Sequence, residues 1–176
     1  MSILIISLPR TGSSNLGKKL SIDGNFTYEF EPFSQINPNY DFNYKIPYKN
    51  SVIKTIIFQI PHYVDENDRL DWLISLSTKF EKVILLSRKD ITACCESWDF
   101  LIENVSKGFK SNKRYEFNHS HNYDANCMDI KKWNDELNYL SNKLNIPLTY
   151  YEDIYNPSNL NNRLRIPTTD VNKTII

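Results

Sequence analysis

Residues 3–8 read Ile-Leu-Ile-Ile-Ser-Leu, a short apolar run. It passes through Pro9-Arg10-Thr11-Gly12-Ser13-Ser14 into a segment with Leu16 and Leu20 four apart. A strand that is apolar along its whole length has both faces buried, as in a parallel sheet covered on two sides. A glycine-containing turn from such a strand into a helix gathers backbone N–H groups at the positive end of the helix dipole, where an anion binds. The hydroxyls of Thr11, Ser13 and Ser14 add donors, and Arg10 adds a charge suited to bidentate contact with an oxyanion. Ser13 and Ser14 are also good cap residues for the helix. A nucleoside-triphosphate loop of the Gly-x-x-x-x-Gly-Lys-Ser/Thr type needs a first glycine and a lysine that are both missing here. The plain alternative is an ordinary turn between strand and helix.

The rest of the chain repeats the alternation. Residues 25–31, 51–60, 83–87 and 147–151 read as strands, the first stopped by Pro32. Residues 65–80 read as a helix with Leu70, Leu73 or Ile74, and Phe80 facing inward. Asp90 opens another helix, carrying Ile91, Cys94, Trp98 and Ile102 near a 3.6 period, and Trp133, Leu137, Leu140 and Leu144 mark a third. Residues 34–50 and 107–126 are polar and read as loops. Strands alternating with helices predict a three-layer α/β domain around a central parallel sheet of about five strands, with a P-loop-like phosphate-binding turn. The 176 residues fit one domain, 1–176, without repeat or linker.

Composition narrows the function classes. The 21 basic residues balance 21 acidic ones, so there is no electrostatic case for nucleic acid or an anionic membrane. No apolar run approaches the roughly 20 residues of a membrane span. A first strand beginning at Ser2 leaves no room for a signal peptide. The three cysteines, with Cys94 and Cys95 adjacent, suit free thiols in a reducing compartment, and a cytoplasmic protein is expected. Sequons at Asn25, Asn104, Asn118 and Asn172 follow from the abundance of Asn.

Polar residues at element ends are the site candidates. Arg88 closes a strand at the sheet edge where open α/β folds bind ligands, and Ser97 lies nine residues on in the next helix. Glu29 and Glu31 flank the end of the second strand, and period-2 alternation puts both on one side of it. Tyr151-Glu152-Asp153-Ile154 follows the last strand. Taken singly, these are a surface arginine, a neutral helix serine, two solvated carboxylates and a capped turn with a packed tyrosine.

Their order resembles that of the PAPS-dependent sulfotransferases, which move a sulfuryl group from 3'-phosphoadenosine 5'-phosphosulfate (PAPS) to an acceptor. Pro9 to Ser14 is similar to that family's 5'-phosphosulfate loop in its carbohydrate-type form, with Arg for Lys. Arg88-Lys89-Asp90 with Ser97 is similar to its 3'-phosphate site. Phe30-Glu31-Pro32 is similar to the Phe-Glu-Pro segment of carbohydrate sulfotransferases, and Tyr151 to Ile154 to a Tyr-Glu-Asp-Leu segment beside the adenosine. The resemblance spans residues 3 to about 167.

It implies a donor site made of Arg10, Thr11, Gly12, Ser13, Ser14, Asn15, Arg88, Ser97 and Tyr151, with PAPS as cofactor, the bisphosphate PAP as product and no metal. It implies Glu31 as general base, Arg10 on the charge of the leaving phosphate and Lys54 at the sulfonate. The acceptor is a small-molecule or carbohydrate hydroxyl, bound by loops 34–50 and 106–126. The chain departs from the family in two places. Ile56 stands where cytosolic members carry a catalytic histidine, and the C-terminal Arg-Lys-Gly clamp is absent. Lys173, or the basic stretch Lys107, Lys110, Lys113 and Arg114, is the candidate replacement, although that stretch reads more simply as a solvated basic loop. Glu29 competes with Glu31 as base, and His62, His119 and His121 stand behind both. A small-molecule kinase of the P-loop class and a catalytically inactive PAP- or nucleotide-binding module are the alternative functions.

Overall fold

The structure, a computed structural model, describes residues 1–34, 45–106 and 122–155. Five strands form one sheet: β1 (Ser2–Ser7), β2 (Thr27–Phe30), β3 (Ser51–Ile56), β4 (Lys82–Ser87) and β5 (Leu148–Tyr150), in the order β2-β3-β1-β4-β5. Every neighbouring pair is parallel. The helices are α1 (Ser13–Gly24), α2 (Arg69–Ser77), α3 (Ile91–Ser106), α4 (Tyr123–Leu144) and the short α5 (Tyr151–Tyr155).

Side-chain alternation along the central strands builds the layers. Ile3 and Ile5 of β1 join Val52, Ile84 and Leu86 on one face, beneath Leu16 of α1 and Ile154 of α5. Leu4 and Ile6 point to the other face with Ile53, Val83 and Leu85, under Leu73 and Leu76 of α2 and Leu137 and Leu140 of α4. With helices over both faces, every residue of β1 and β3 is buried, which is why β1 reads as an unbroken apolar run. The fold is thus the expected α/β domain with a five-stranded parallel sheet between helical layers. After β1 the chain moves towards β2 and β3; after β4 it moves the other way, towards β5. The carboxyl ends of β1 and β4 therefore flank the topological switch point, the crevice where such sheets bind ligands.

Several boundaries differ from the sequence reading, each for a local reason. Ser13 and Ser14 do not cap α1. The cap position is Gly12, in the left-handed region at φ 68°, and its carbonyl accepts the first helical bonds from Asn15 and Leu16. β3 ends at Ile56, short of residue 60. The helix expected over 65–80 starts as a 3-10 turn at Glu66–Asp68, capped by Asp65, before α2 begins at Arg69. α4 starts at Tyr123, inside the stretch read as irregular, because the Asn122 side chain accepts from the Ala125 N–H at 3.1 Å. Arg69 fastens α2 to α4 through two bonds to Glu136, at 2.6 and 2.7 Å.

The free-thiol expectation is corrected. Cys95 of α3 and Cys127 of α4 form a disulfide with Cα atoms 5.0 Å apart, leaving Cys94 as the free, buried thiol. The reducing compartment inferred from unpaired cysteines loses that basis. Thiol titration of the unfolded, unreduced protein should count one thiol, and a count of three would remove the disulfide. Because the bond spans 32 residues, its reduction should lower stability by about 3–4 kcal/mol on the chain-entropy account. Among the described residues, no helix is long and apolar enough to cross a membrane.

Candidate functional site

The turn between β1 and α1 is held rigidly. Leu8 donates its N–H to the Leu86 carbonyl at 3.1 Å, and the Cys94 thiol donates to the Pro9 carbonyl at 3.3 Å. Burial pushes the Cys94 thiol up to about 11, so it stays protonated and keeps that bond. Thr11 is fully buried and donates its hydroxyl to the Leu8 carbonyl at 2.8 Å. The Thr11 hydroxyl, expected as an anion donor, therefore braces the turn instead. Gly12 is required twice: its φ is left-handed, and a Cβ there would lie 2.9 Å from the Tyr155 ring and 3.1 Å from that of Tyr151. The first turn of α1 presents N–H groups that no helical carbonyl satisfies.

A cavity of about 590 Å³ opens at this turn. Its wall includes Arg10, Gly12, Ser13, Ser14 and Asn15 from the turn, Arg88 beyond β4, Ser97 of α3, Tyr151 of α5, and Glu31 and Lys54 from the β2 and β3 side. Of the expected site residues, Thr11 alone is not in that wall. The Arg10 Nε–H donates to Ser97 Oγ at 2.9 Å, and Arg88 donates to the Arg10 carbonyl at 3.4 Å. Ser97 thus meets Arg10 directly, a partner the sequence reading did not give it. The Arg88 guanidinium lies 4.8 Å above the Tyr151 ring and 3.7 Å from the Glu152 carboxylate. Glu152 also accepts from the backbone N–H groups of Lys89 and Asp90, at 2.9 and 3.3 Å. Burial raises its pKa, but those bonds and the Arg88 charge outweigh it and hold the carboxyl below its usual range. A charged Glu152 fixes the loop that carries Arg88.

The opposite wall holds a buried ion pair. Lys54 Nζ donates to Glu31 Oε1, and Gln59 Nε2 donates to Oε2 at 2.7 Å. The Lys54 side chain is 3% exposed and that of Glu31 14%. Burial drives the Lys54 pKa down, partly countered by the Glu31 charge. The same carboxylate, after the larger effect of burial, raises the phenol pKa of Tyr28. Glu31 has φ 47°, so the chain leaves the strand alternation there, and Glu29 does not share the cavity. Two cavity residues, Arg10 at φ 62° and Glu31, therefore hold left-handed backbones that cost a non-glycine residue on the order of 1 kcal/mol.

The structure adds residues that sequence reading passed over. Gln59 orients Glu31 while its Oε1 accepts from the Ile56 N–H at 3.0 Å; its position just past β3, on the ligand-binding edge, was the available signal. Tyr155 stacks on Tyr151, ring centres 4.8 Å apart, and donates to the Gly12 carbonyl at 2.9 Å. The spacing of four between these tyrosines was the signal there. His62 is exposed and outside the cavity wall. His119, His121, Lys107, Lys110, Lys113, Arg114 and Lys173, and most of both acceptor loops, lie outside the described residues. Among the described residues, no group of three His, Cys, Asp or Glu side chains is placed to hold a metal ion.

No family model and no curated protein matches the chain. Among solved structures, the YorR protein from Bacillus subtilis, crystallised with phosphorylated GDP, is similar over 86% of this chain and 84% of that one. The identity is 12% and the TM-score 0.41.

Proposed function

We propose that the protein is a sulfotransferase that moves a sulfuryl group from PAPS to a hydroxyl, with a carbohydrate or glycolipid hydroxyl as acceptor. One observation carries this reading. A single cavity at the switch point joins a lysine-free anion turn, a second cationic corner at Arg88, an aromatic wall at Tyr151 and a buried carboxylate at Glu31. Its volume lies in the range of small-molecule sites, about 300–1,000 Å³. Two arginines in one wall, Arg10 and Arg88, suit a nucleotide phosphorylated at both 3' and 5' positions.

When bound, PAPS supplies the activated sulfuryl group. Arg10 and the N–H groups opening α1 hold the 5' phosphate and stabilise the charge it gains as the sulfur–oxygen bond breaks. Arg88 holds the 3' phosphate. Ser97 has one donor and two acceptor positions, so its hydroxyl can accept from Arg10 and still donate to phosphate. Tyr151 packs against the base. Glu31 takes the proton of the acceptor hydroxyl as its oxygen bonds to sulfur, and Lys54 and Gln59 fix the carboxylate for that role.

A second reading, an inactive PAP-binding module, is favoured by one feature: both Glu31 oxygens already accept a bond. Transfer to any hydroxyl separates the two. The cofactor is tested by melting temperature. PAP should raise it well above 5'-AMP, since one charge-assisted contact is worth roughly 1.5–3 kcal/mol, or about 10- to 150-fold in affinity. Stabilisation by ATP with magnesium and none by PAP would favour a kinase and reject the proposal.

A further inference from the structure

We infer that a second cavity, walled by Phe58, Trp98 and Trp133, is a subsite for a neutral carbohydrate. Resting on the reading above, it would hold the acceptor whose hydroxyl reaches Glu31. The cavity encloses about 450 Å³ between α3, α4 and the segment after β3. Phe58 and Trp98 belong to both cavity walls, so the two spaces adjoin. Phe58 is followed in the chain by Gln59, whose amide holds Glu31. Phe58 also lines the first cavity, whose wall holds Glu31.

The wall chemistry selects the ligand class. The Phe58 and Trp133 rings lie 4.4 Å apart, tilted by 33°, and Trp98 meets Trp133 edge-on at 6.1 Å. Phe58 and Trp133 are only partly buried, leaving aromatic surface for the C–H face of a sugar ring. The spacing of Asn126, Asp129 and Trp133 puts polar groups and an aromatic ring on one face of α4. Asp129 and Lys132 offer an acceptor and a donor for hydroxyls. Arg69 is also in the wall, but its charge is met by Glu136. With no unbalanced cationic cluster, the cavity suits an uncharged polyhydroxyl ligand and not a second phosphate. The Cys95–Cys127 disulfide ties α3 to α4 and so holds these walls together.

The test titrates cellobiose, lactose, maltose and chitobiose into the protein, read by tryptophan fluorescence and by saturation-transfer NMR. PAP-induced melting shifts are recorded separately. At least one disaccharide should bind, and Trp133→Leu and Asp129→Ala should each weaken it about tenfold while leaving the PAP shift unchanged. Asp129→Ala keeps the test open if Trp133→Leu fails to fold. Three results overturn the inference: no disaccharide binding, binding untouched by either variant, or binding of p-nitrophenol in place of any sugar. A PAP shift without sugar binding rejects the subsite and leaves the donor site standing. Sugar binding without a PAP shift supports the subsite and rejects the sulfotransferase reading.

Discussion

Glu31→Gln should cut transfer from PAPS by about 10²- to 10⁴-fold, or roughly 3–5 kcal/mol, while PAP still binds. The amide keeps the size of the side chain and can still accept from Lys54, but it cannot take a proton. Glu29→Gln should turn over normally, because the left-handed backbone at Glu31 carries that side chain alone into the cavity. Wild-type turnover by Glu31→Gln would remove the carboxylate from the chemistry. The variant also has a pH signature. Lys54 loses its counterion and its pKa, already held down by burial, falls further. Between that lowered value and the ordinary 10.5, the unfolded chain binds a proton that the folded one does not. Stability therefore rises with pH through that window, and the rise begins at lower pH in Glu31→Gln than in wild type. Urea midpoints measured across alkaline pH would show it; parallel curves for the two proteins would contradict the buried pair.

Arg10→Gly should lose about 10²- to 10³-fold in transfer and yet unfold no more easily than wild type. A donor aimed at developing charge has an effect of that size. The backbone at φ 62° opposes arginine and suits glycine, so relief of about 1 kcal/mol offsets the lost bond to Ser97. A residue kept against its own backbone preference is a mark of function. Near-normal transfer by Arg10→Gly would reduce the turn to a simple connection between β1 and α1.

The sequence revealed most where local chemistry and final geometry agree. β1 is buried on both faces, so its apolar run announced a covered parallel sheet, and Gly12 announced the tight turn. Arg88 and Tyr151 followed strand ends, which the fold class brings to one edge. Tertiary partners were not readable. The hydroxyl of Thr11 looked free until its own turn folded back onto the Leu8 carbonyl. Glu29 and Glu31 looked equivalent because period-2 alternation assumes a strand that continues, and the chain turns at Glu31. The Cys95–Cys127 bond depends on how α3 crosses α4, and no spacing in the chain encodes that. The start of α4 was hidden because its first turn, Tyr123 to Asn126, carries polar residues in place of a regular apolar stripe.

A sulfotransferase built on this cavity would bind the 3' phosphate through Arg88, between β1 and β4. Calorimetric titration of PAP and 5'-AMP into wild type and Arg88→Ala decides the point. Wild type should prefer PAP by about 10- to 150-fold. Arg88→Ala should lose most of that preference, with Ser97 left at the 3' phosphate. An unchanged preference for PAP in Arg88→Ala, or equal binding of PAP and AMP by wild type, would contradict it.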